Sequence, residues 1–186
     1  YGMFFSGGID SSVLLAMMSR LNERPVKALT AGFSGTSAHD ERSHARSVAA
    51  AIGADHIEVD FSEDDFYDLL PKIASAVDDP TADYAILPTF KLAACARAEG
   101  LKVVLSGEGG DELFGGYGRY RHAKRPWPFA KSMRRKGTFY GLDVLRENSM
   151  HWRDGFAVSE KAALAPGRNT LQVAQAIDCT DWLPAD

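Results

Sequence analysis

The sequence predicts an α/β fold, a doubly wound parallel sheet of strand order 3-2-1-4 followed by a helical segment. Three observations carry that expectation. Short apolar or alternating runs alternate with stretches of helical periodicity as far as residue 105, which is the pattern of right-handed βαβ crossovers. Glycine-rich polar loops directly follow the first and fourth runs. With those two strands side by side, both loops fall where the outgoing connections diverge, the crevice in which open α/β sheets bind ligands. No clear strand follows Tyr117, so residues 1–117 read as the α/β core and residues 118–186 as an incomplete helical continuation.

The first strand is Tyr1-Gly2-Met3-Phe4-Phe5, and Val13, Leu14, Leu15, Met17, Met18 and Leu21 mark the first helix. Between them lies Ser6-Gly7-Gly8-Ile9-Asp10-Ser11-Ser12, a strand-to-helix turn. Such a turn presents unpaired N–H groups at the positive end of the helix dipole, which suits an anion. Gly7 and Gly8 let backbone approach phosphate oxygens, and the hydroxyls of Ser6, Ser11 and Ser12 add hydrogen-bonding groups. The loop lacks the Gly-Lys-Ser/Thr ending of a Walker A motif, so Asp10 suggests a metal ion as the neutralising charge.

The 186 residues carry a net charge of -4, which argues against a general nucleic-acid binder. Cys95 and Cys179 form neither a disulfide framework nor a zinc pattern, and Cys95 reads as a small core residue of a helix. No apolar run is long enough to span a bilayer and no signal peptide is present, so a reduced cytoplasmic compartment is expected. The chain opens inside a strand without an initiator Met, as expected of a piece of a longer polypeptide.

The second strand is expected over residues 26–33 and a polar loop over 34–39; Asp40 then caps a helix whose Ala45, Val48, Ala49 and Ile52 share a face, ended by Gly53. Residues 56–61 alternate as a third strand. Ser62 and Asp65 form a capping box before the helix of Phe66, Leu69, Leu70 and Ile73. The acidic residues between Asp55 and Asp68 read as a solvated helix face without function. Residues 78–84 form a loop, Pro88 begins a helix that runs to Glu99, and residues 102–105 are the fourth strand. Beyond residue 117, short helices are expected over 129–135, 139–146, 160–164 and 171–177, with Ser159 capping the third and Pro166-Gly167 ending it. Residues 119–136 hold eight basic and no acidic side chains, interleaved with Tyr120, Trp127 and Phe129; in an acidic chain this reads as a helical flank or an interface rather than an RNA site.

The loop after the fourth strand is Ser106-Gly107-Glu108-Gly109-Gly110-Asp111-Glu112-Leu113-Phe114-Gly115-Gly116-Tyr117. The first loop resembles the pyrophosphate loop of the ATP pyrophosphatases, which share the adenine nucleotide α-hydrolase-like fold. Together the two motifs resemble the synthetase domain of glutamine-dependent asparagine synthetases and related amidotransferases. Asp79-Pro80 and, faintly, Asp181-Trp182-Leu183-Pro184 extend the resemblance over most of the chain.

The resemblance implies an ATP-dependent ligase. A carboxylate attacks the α-phosphate of ATP, releasing pyrophosphate and forming an acyl-adenylate; ammonia then displaces AMP to form an amide. Ammonia would come from glutamine through an N-terminal glutaminase domain that this sequence does not contain. By the same resemblance, Ser6, Gly7, Gly8, Asp10, Ser11, Ser12, Ala31, Gly32, Phe33, Ser106 and Gly107 would bind ATP and its pyrophosphate. The end of the second strand would meet adenine or ribose through backbone, with Phe33 itself a core residue. Asp10 and Asp111 would share Mg²⁺. Glu108 and Asp111 would be the catalytic acids, with Glu108 orienting ammonia or accepting its proton. Glu112 reads as a structural hydrogen-bonding group, and Gly107, Gly109 and Gly110 can also be read as turn residues. The relatives that close β-lactam rings carry Tyr where Glu108 stands, so Glu108 favours intermolecular amidation. No stretch matches the family's later lysine, and Lys91, Lys102 and Lys124 are not assigned its place, so this polypeptide alone is expected to bind nucleotide weakly and turn over poorly.

Three functions stay open at this point. The first is amidation of aspartate or another small-molecule or larger carboxylate. The second is an ATP pyrophosphatase that modifies tRNA, using the basic stretch and Cys95 or Cys179. The third is a nucleotide-binding module without turnover. Neither nucleic acid nor membrane is an expected partner on the first reading, and an uncovered sheet edge or apolar face would favour a homo-oligomer.

Overall fold

Four short parallel strands form one sheet in the computed structural model, which describes residues 1–35, 40–77, 83, 85–123, 125 and 152–183. They are β1 (Gly2–Phe4), β2 (Lys27–Gly32), β3 (Asp55–Asp60) and β4 (Val104–Leu105), in the order β3-β2-β1-β4. This is the order expected from the alternation of strands and helices. Gly2 stands opposite both Lys27 and Val104, so β1 is the hinge of the topology: the chain leaves it toward β2 and β3 and returns to its other edge as β4. The sheet belongs to the first of two compact units, Tyr1–Gly107 and Glu108–Asp186.

Alternation along the strands sorts their side chains into two layers. Met3, Phe5 and Ala28 pack with Leu15 and Met18 of α1 (Ile9–Arg20) and with Ala45 and Ala49 of α2 (Arg42–Ile52). Phe4, Leu29, Ala31, Ile57, Val59 and Val104 pack with Leu92, Cys95 and Ala96 of α4 (Ile86–Ala98). Helix α3 (Glu63–Ala76) adds Leu69 and Ile73, which meet Phe61 and Leu87. Helix α2 buries the face expected of it and ends at Gly53, whose φ of 78° only glycine adopts readily. Helix α1 is less fully covered: Ile9, Val13, Met17 and Leu21 are exposed and repeat every fourth residue along one side.

Helix termini differ from expectation in two places. Glu41, not Asp40, occupies the N-cap position of α2 and makes no side-chain cap. Asp40 acts from one residue further out, its Oδ1 accepting the Arg42 amide at 3.0 Å. Helix α4 begins at Ile86, two residues before Pro88, because a proline within the first turn removes only an N–H that has no intrahelical partner. The capping box of α3 forms as read: Ser62 Oγ accepts the Asp65 amide at 3.1 Å and Asp65 Oδ2 accepts the Ser62 amide at 2.8 Å.

The second unit contains α5 (Gly110–Phe114), α6 (Gly118–Ala123), α7 (Trp152–Ala163), α8 (Thr170–Ile177) and a π-helical turn, Asp178–Trp182. Ala163 packs against Ile177, with Val173 and Ala176 beside them. Ser159 lies inside α7 rather than capping it, because the helix already runs from Trp152 and a serine interrupts a helix only where its backbone turns out of it. The break at Pro166-Gly167 holds, with Gly167 at φ 86°, and Asn169 and Gln172 supply α8 with a capping box. The helices expected over 129–135 and 139–146, and the loop over 78–84 apart from Asp83, lie outside the described residues.

Inside the first unit, Thr30 is buried and its hydroxyl donates to the Phe5 carbonyl at 2.6 Å. With that proton committed, the 2.8 Å contact to His56 Nε2 is satisfied by an Nε2–H tautomer donating to Thr30. Burial pushes the His56 pKa down, which keeps the ring neutral. Replacing Thr30 by Val should cost about 1–3 kcal/mol of unfolding free energy by denaturant titration, because it strips the hydroxyl from a carbonyl at the base of the first loop.

Ser62→Ala should cost about 1 kcal/mol by the same measurement, the usual loss on removing a helix cap. The Asp65 carboxyl is held down at about 2, first by the Lys91 ammonium and then by the capping bonds with Ser62. A folded pKa below the unfolded one stabilises the protein above the ordinary aspartate range, and that stabilisation fades as pH falls toward 2. Asp65→Asn should therefore destabilise the protein at neutral pH, with its difference from wild type shrinking in acid, as read by denaturation midpoints across pH.

Candidate functional site

The turn after β1 is built by backbone conformations that its glycines make available. Gly7 stands at φ 81°, and a Cβ there would come within 3.0 Å of the Ala45 Cα and 3.1 Å of the His44 ring in α2. Gly8 is the N-cap of α1 and offers no side-chain cap, so the first amides of the helix are not closed off by their own cap residue. The hydroxyls fold back on the loop: Ser11 donates to the Gly8 carbonyl and Ser12 to the Gly7 carbonyl, each at 3.2 Å, while Ser6 Oγ lies 3.0 Å from Ser11 Oγ. The Gly8 amide donates to Ser6 Oγ at 3.2 Å. The serines thus hydrogen-bond the turn to itself.

Gly107, near the start of the second motif, approaches this turn. A Cβ on it would sit 3.0 Å from the Ser11 amide nitrogen and 3.3 Å from the Ser11 Cα. Its φ is not left-handed, so close approach rather than backbone conformation is what requires glycine. Ser6, Gly7, Gly8, Asp10, Ser11, Ser12, Ser106 and Gly107 therefore belong to the carboxyl ends of the adjacent strands β1 and β4. Asp10 lies in the first turn of α1 and is half-exposed.

Ala31 and Gly32 end the neighbouring strand β2, and Phe33 follows them. Phe33 is a core ring, packed edge-on against Phe61 at a centroid distance of 5.9 Å. The sequence reading missed Arg42. Its guanidinium lies so close over Gly32 that any Cβ there would overlap it. It is held by Asp40, by Asp60 Oδ1 at 3.1 Å and by Ser34 Oγ at 2.9 Å. The Arg42 guanidinium holds the Asp40 carboxyl down at about 2, and the Asp60 carboxyl is lowered first by the Ser34 hydroxyl and further by Arg42. The signal was present in the glycine that ends β2 and the paired aspartates, but it needs the β2–β3 register, which stands Gly32 opposite Asp60, to be read.

Glu108 and Asp111 belong to the second unit. Glu108 is exposed, and Gly109, at φ 82°, turns the chain into the five-residue helix α5. Asp111 is half-exposed, whereas Glu112, next to it, is 1% exposed. Glu112 Oε1 lies 3.9 Å from Arg119 Nη2, and Arg119 Nε donates to Asp178 Oδ2 at 2.9 Å. Tyr120 donates to the same oxygen at 2.7 Å, and Arg119 stacks over the Tyr117 ring at 3.9 Å. Burial, and then the Glu112 charge, push the Tyr117 hydroxyl up to about 12. Glu112 is thus the structural group it was read as, and one of the basic residues of the stretch 119–136 is spent on internal ion pairing.

No group of three or more His, Cys, Asp or Glu side chains that could hold a metal occurs among the described residues. Mg²⁺ takes one or two carboxylates and completes its shell with water and substrate phosphates, and the half-exposed Asp10 and Asp111 are each a donor of that kind. No helix among the described residues is long and apolar enough to cross a membrane, and Cys95 and Cys179 are free thiols.

The protein-family model described as asparagine synthase matches residues 1–186. Over 128 residues the chain is 46% identical to a Mycobacterium tuberculosis protein provisionally named as a glutamine-hydrolysing asparagine synthetase, covering 69% of this chain and 19% of that protein. It is 38% identical over 130 residues to asparagine synthetase 1 of Bacillus subtilis, covering 70% of this chain and 20% of the relative. A rice relative, asparagine synthetase 2, is 33% identical across 98% of the chain and 32% of its own length. The chain therefore spans a fifth to a third of the length of these relatives. On a family match that runs from the first residue to the last, the chain belongs to the asparagine synthase family.

Proposed function

We propose that the chain carries the ATP-activating part of an amide-forming synthetase, which adenylates a carboxylate, releases pyrophosphate and passes the acyl group to ammonia. The single observation that most supports this is the approach of Gly107 to the Ser11 amide, which puts the start of the second motif against the N-terminus of the helix that the first motif opens. In-line displacement at phosphorus asks for little covalent chemistry from the protein and a great deal of positioning and charge neutralisation. The amides of the first turn and the hydroxyls of Ser6, Ser11 and Ser12 would hold the leaving pyrophosphate. Ala31, Gly32 and Phe33 would meet adenine or ribose through backbone, and Ser106 and Gly107 would lie along the α-phosphate.

Asp10 and Asp111 are the carboxylates we assign to Mg²⁺, and Glu108 the group that orients ammonia or takes its proton. Mg²⁺, when bound, neutralises the charge that grows on the departing pyrophosphate. The acceptor is aspartate or a related carboxylate, with ammonia derived from glutamine, as the names of the relatives suggest. Membership of the family supports this reading over a tRNA-modifying one, and the enclosure of Arg119 among Glu112, Asp178 and Tyr117 removes part of the basic surface that RNA would need. Cytoplasm, where ATP is present and the two thiols stay reduced, is the compartment this chemistry calls for, and the exposed side of α1 is a surface on which copies of the chain could associate.

Calorimetric titration of ATP with and without Mg²⁺ tests the assignment. Binding should require Mg²⁺ and weaken about tenfold or more in Asp10→Ala, equivalent to about 1.4 kcal/mol. Equal affinity of the two proteins would contradict the role given to Asp10.

A further inference from the structure

The Gly115-Gly116 pair that closes the second motif contains two glycines with different physical reasons for being there. Gly115 stands at φ 74° and ends α5, with its amide donating to the Asp111 carbonyl at 2.8 Å. That is a left-handed C-terminal position, where glycine is the residue with no steric penalty. Gly116 is not left-handed, and its amide donates to the same carbonyl at 3.0 Å. Nothing in its backbone calls for glycine.

What calls for glycine at 116 is the Asp111 side chain. A Cβ built on Gly116 would overlap Asp111 Oδ1 and lie 2.8 Å from the Asp111 Cγ. The carboxylate rests directly on the bare Cα of Gly116. By contrast, a Cβ on Gly118, two residues on and also without a left-handed φ, would meet nothing within 4 Å.

We propose that Gly116 is a positioning residue: the absence of a side chain there forms the slot that fixes the Asp111 carboxylate in the orientation it needs to hold Mg²⁺. The inference rests on the assignment of Asp111 to the metal. The helix that carries Asp111 has little freedom to slide away from an added methyl group. Gln175 Nε2 donates to the carbonyls of Glu112 and Leu113, both at 2.8 Å, and Glu112 is buried beside Arg119. With the backbone of α5 pinned at its far end, the relief open to Gly116→Ala is rotation of the Asp111 side chain, a small displacement at the one atom pair that matters. The cost falls on ligand geometry rather than on the fold.

The test is a double-mutant cycle on the full chain, read by calorimetric titration of ATP at fixed Mg²⁺, with thermal unfolding midpoints as the control for folding. Gly116→Ala should weaken Mg²⁺-dependent binding about tenfold while its unfolding midpoint stays close to that of Gly118→Ala, which should bind as wild type. In the Asp111→Ala background, Gly116→Ala should cause no further loss. The carboxyl carbon resonance of Asp111 should shift in Gly116→Ala and stay in place in Gly118→Ala. Wild-type binding by Gly116→Ala, or losses that multiply in the double variant, would overturn the inference while leaving Asp111 at the metal. Wild-type binding by Asp111→Ala would overturn the metal assignment itself, and the inference with it.

Discussion

The parallel pairing of β1 with β4 is the constraint on which the rest of the first unit depends. Gly2 stands opposite Val104 and Met3 opposite Leu105, so the two strands end together and their loops emerge side by side. Every residue assigned to the pyrophosphate lies just beyond that edge. The pairing is short, and it is held from the far side by β2, whose Leu29 carbonyl accepts the Phe5 amide at 2.8 Å and whose Thr30 hydroxyl clamps the Phe5 carbonyl. The last residue before the glycine-rich turn is therefore tied to the neighbouring strand through both its backbone groups. On the proposed function the turn presents several amides to a phosphate and needs that rigid base, since reorganisation at the moment of binding would offset the gain from each hydrogen bond.

The second unit solves a related problem by different means. Helix α5 is too short to hold its own conformation. Its order comes from a buried charge cluster in which Arg119 serves both Glu112 and Asp178, with Tyr120 completing the hydrogen bonding of Asp178. Two buried carboxylates around one guanidinium would be costly without those bonds. On one side of α5 this cluster fixes Glu112; on the other, Asp111 is left half-exposed.

Much of this was legible in the residues. The strands β1, β2 and β3 follow from apolar runs and alternation, the α3 capping box from Ser62 and Asp65, and the strand order from the alternation of strands with helices. What escaped was whatever depends on contacts distant in sequence. Helix α5 has no periodicity to betray it in five residues, and the arginine that anchors it pairs with Asp178, 59 residues further along. The Arg42 cluster needs the pairing of β2 with β3 before Gly32 and Asp60 come together. Asp40 and Ser159 carry the right chemistry for caps, but local preference could not fix which residue the helix starts from.

On the proposed function, MgATP binds with its phosphates on the turn after β1, against Gly107. Amide NMR of the isotope-labelled chain, titrated with ATP and Mg²⁺, tests it most directly. The largest shifts should fall on Gly7, Gly8, Ser11 and Gly107 and should vanish when Mg²⁺ is withheld. Saturable binding that leaves these four amides unmoved would contradict it.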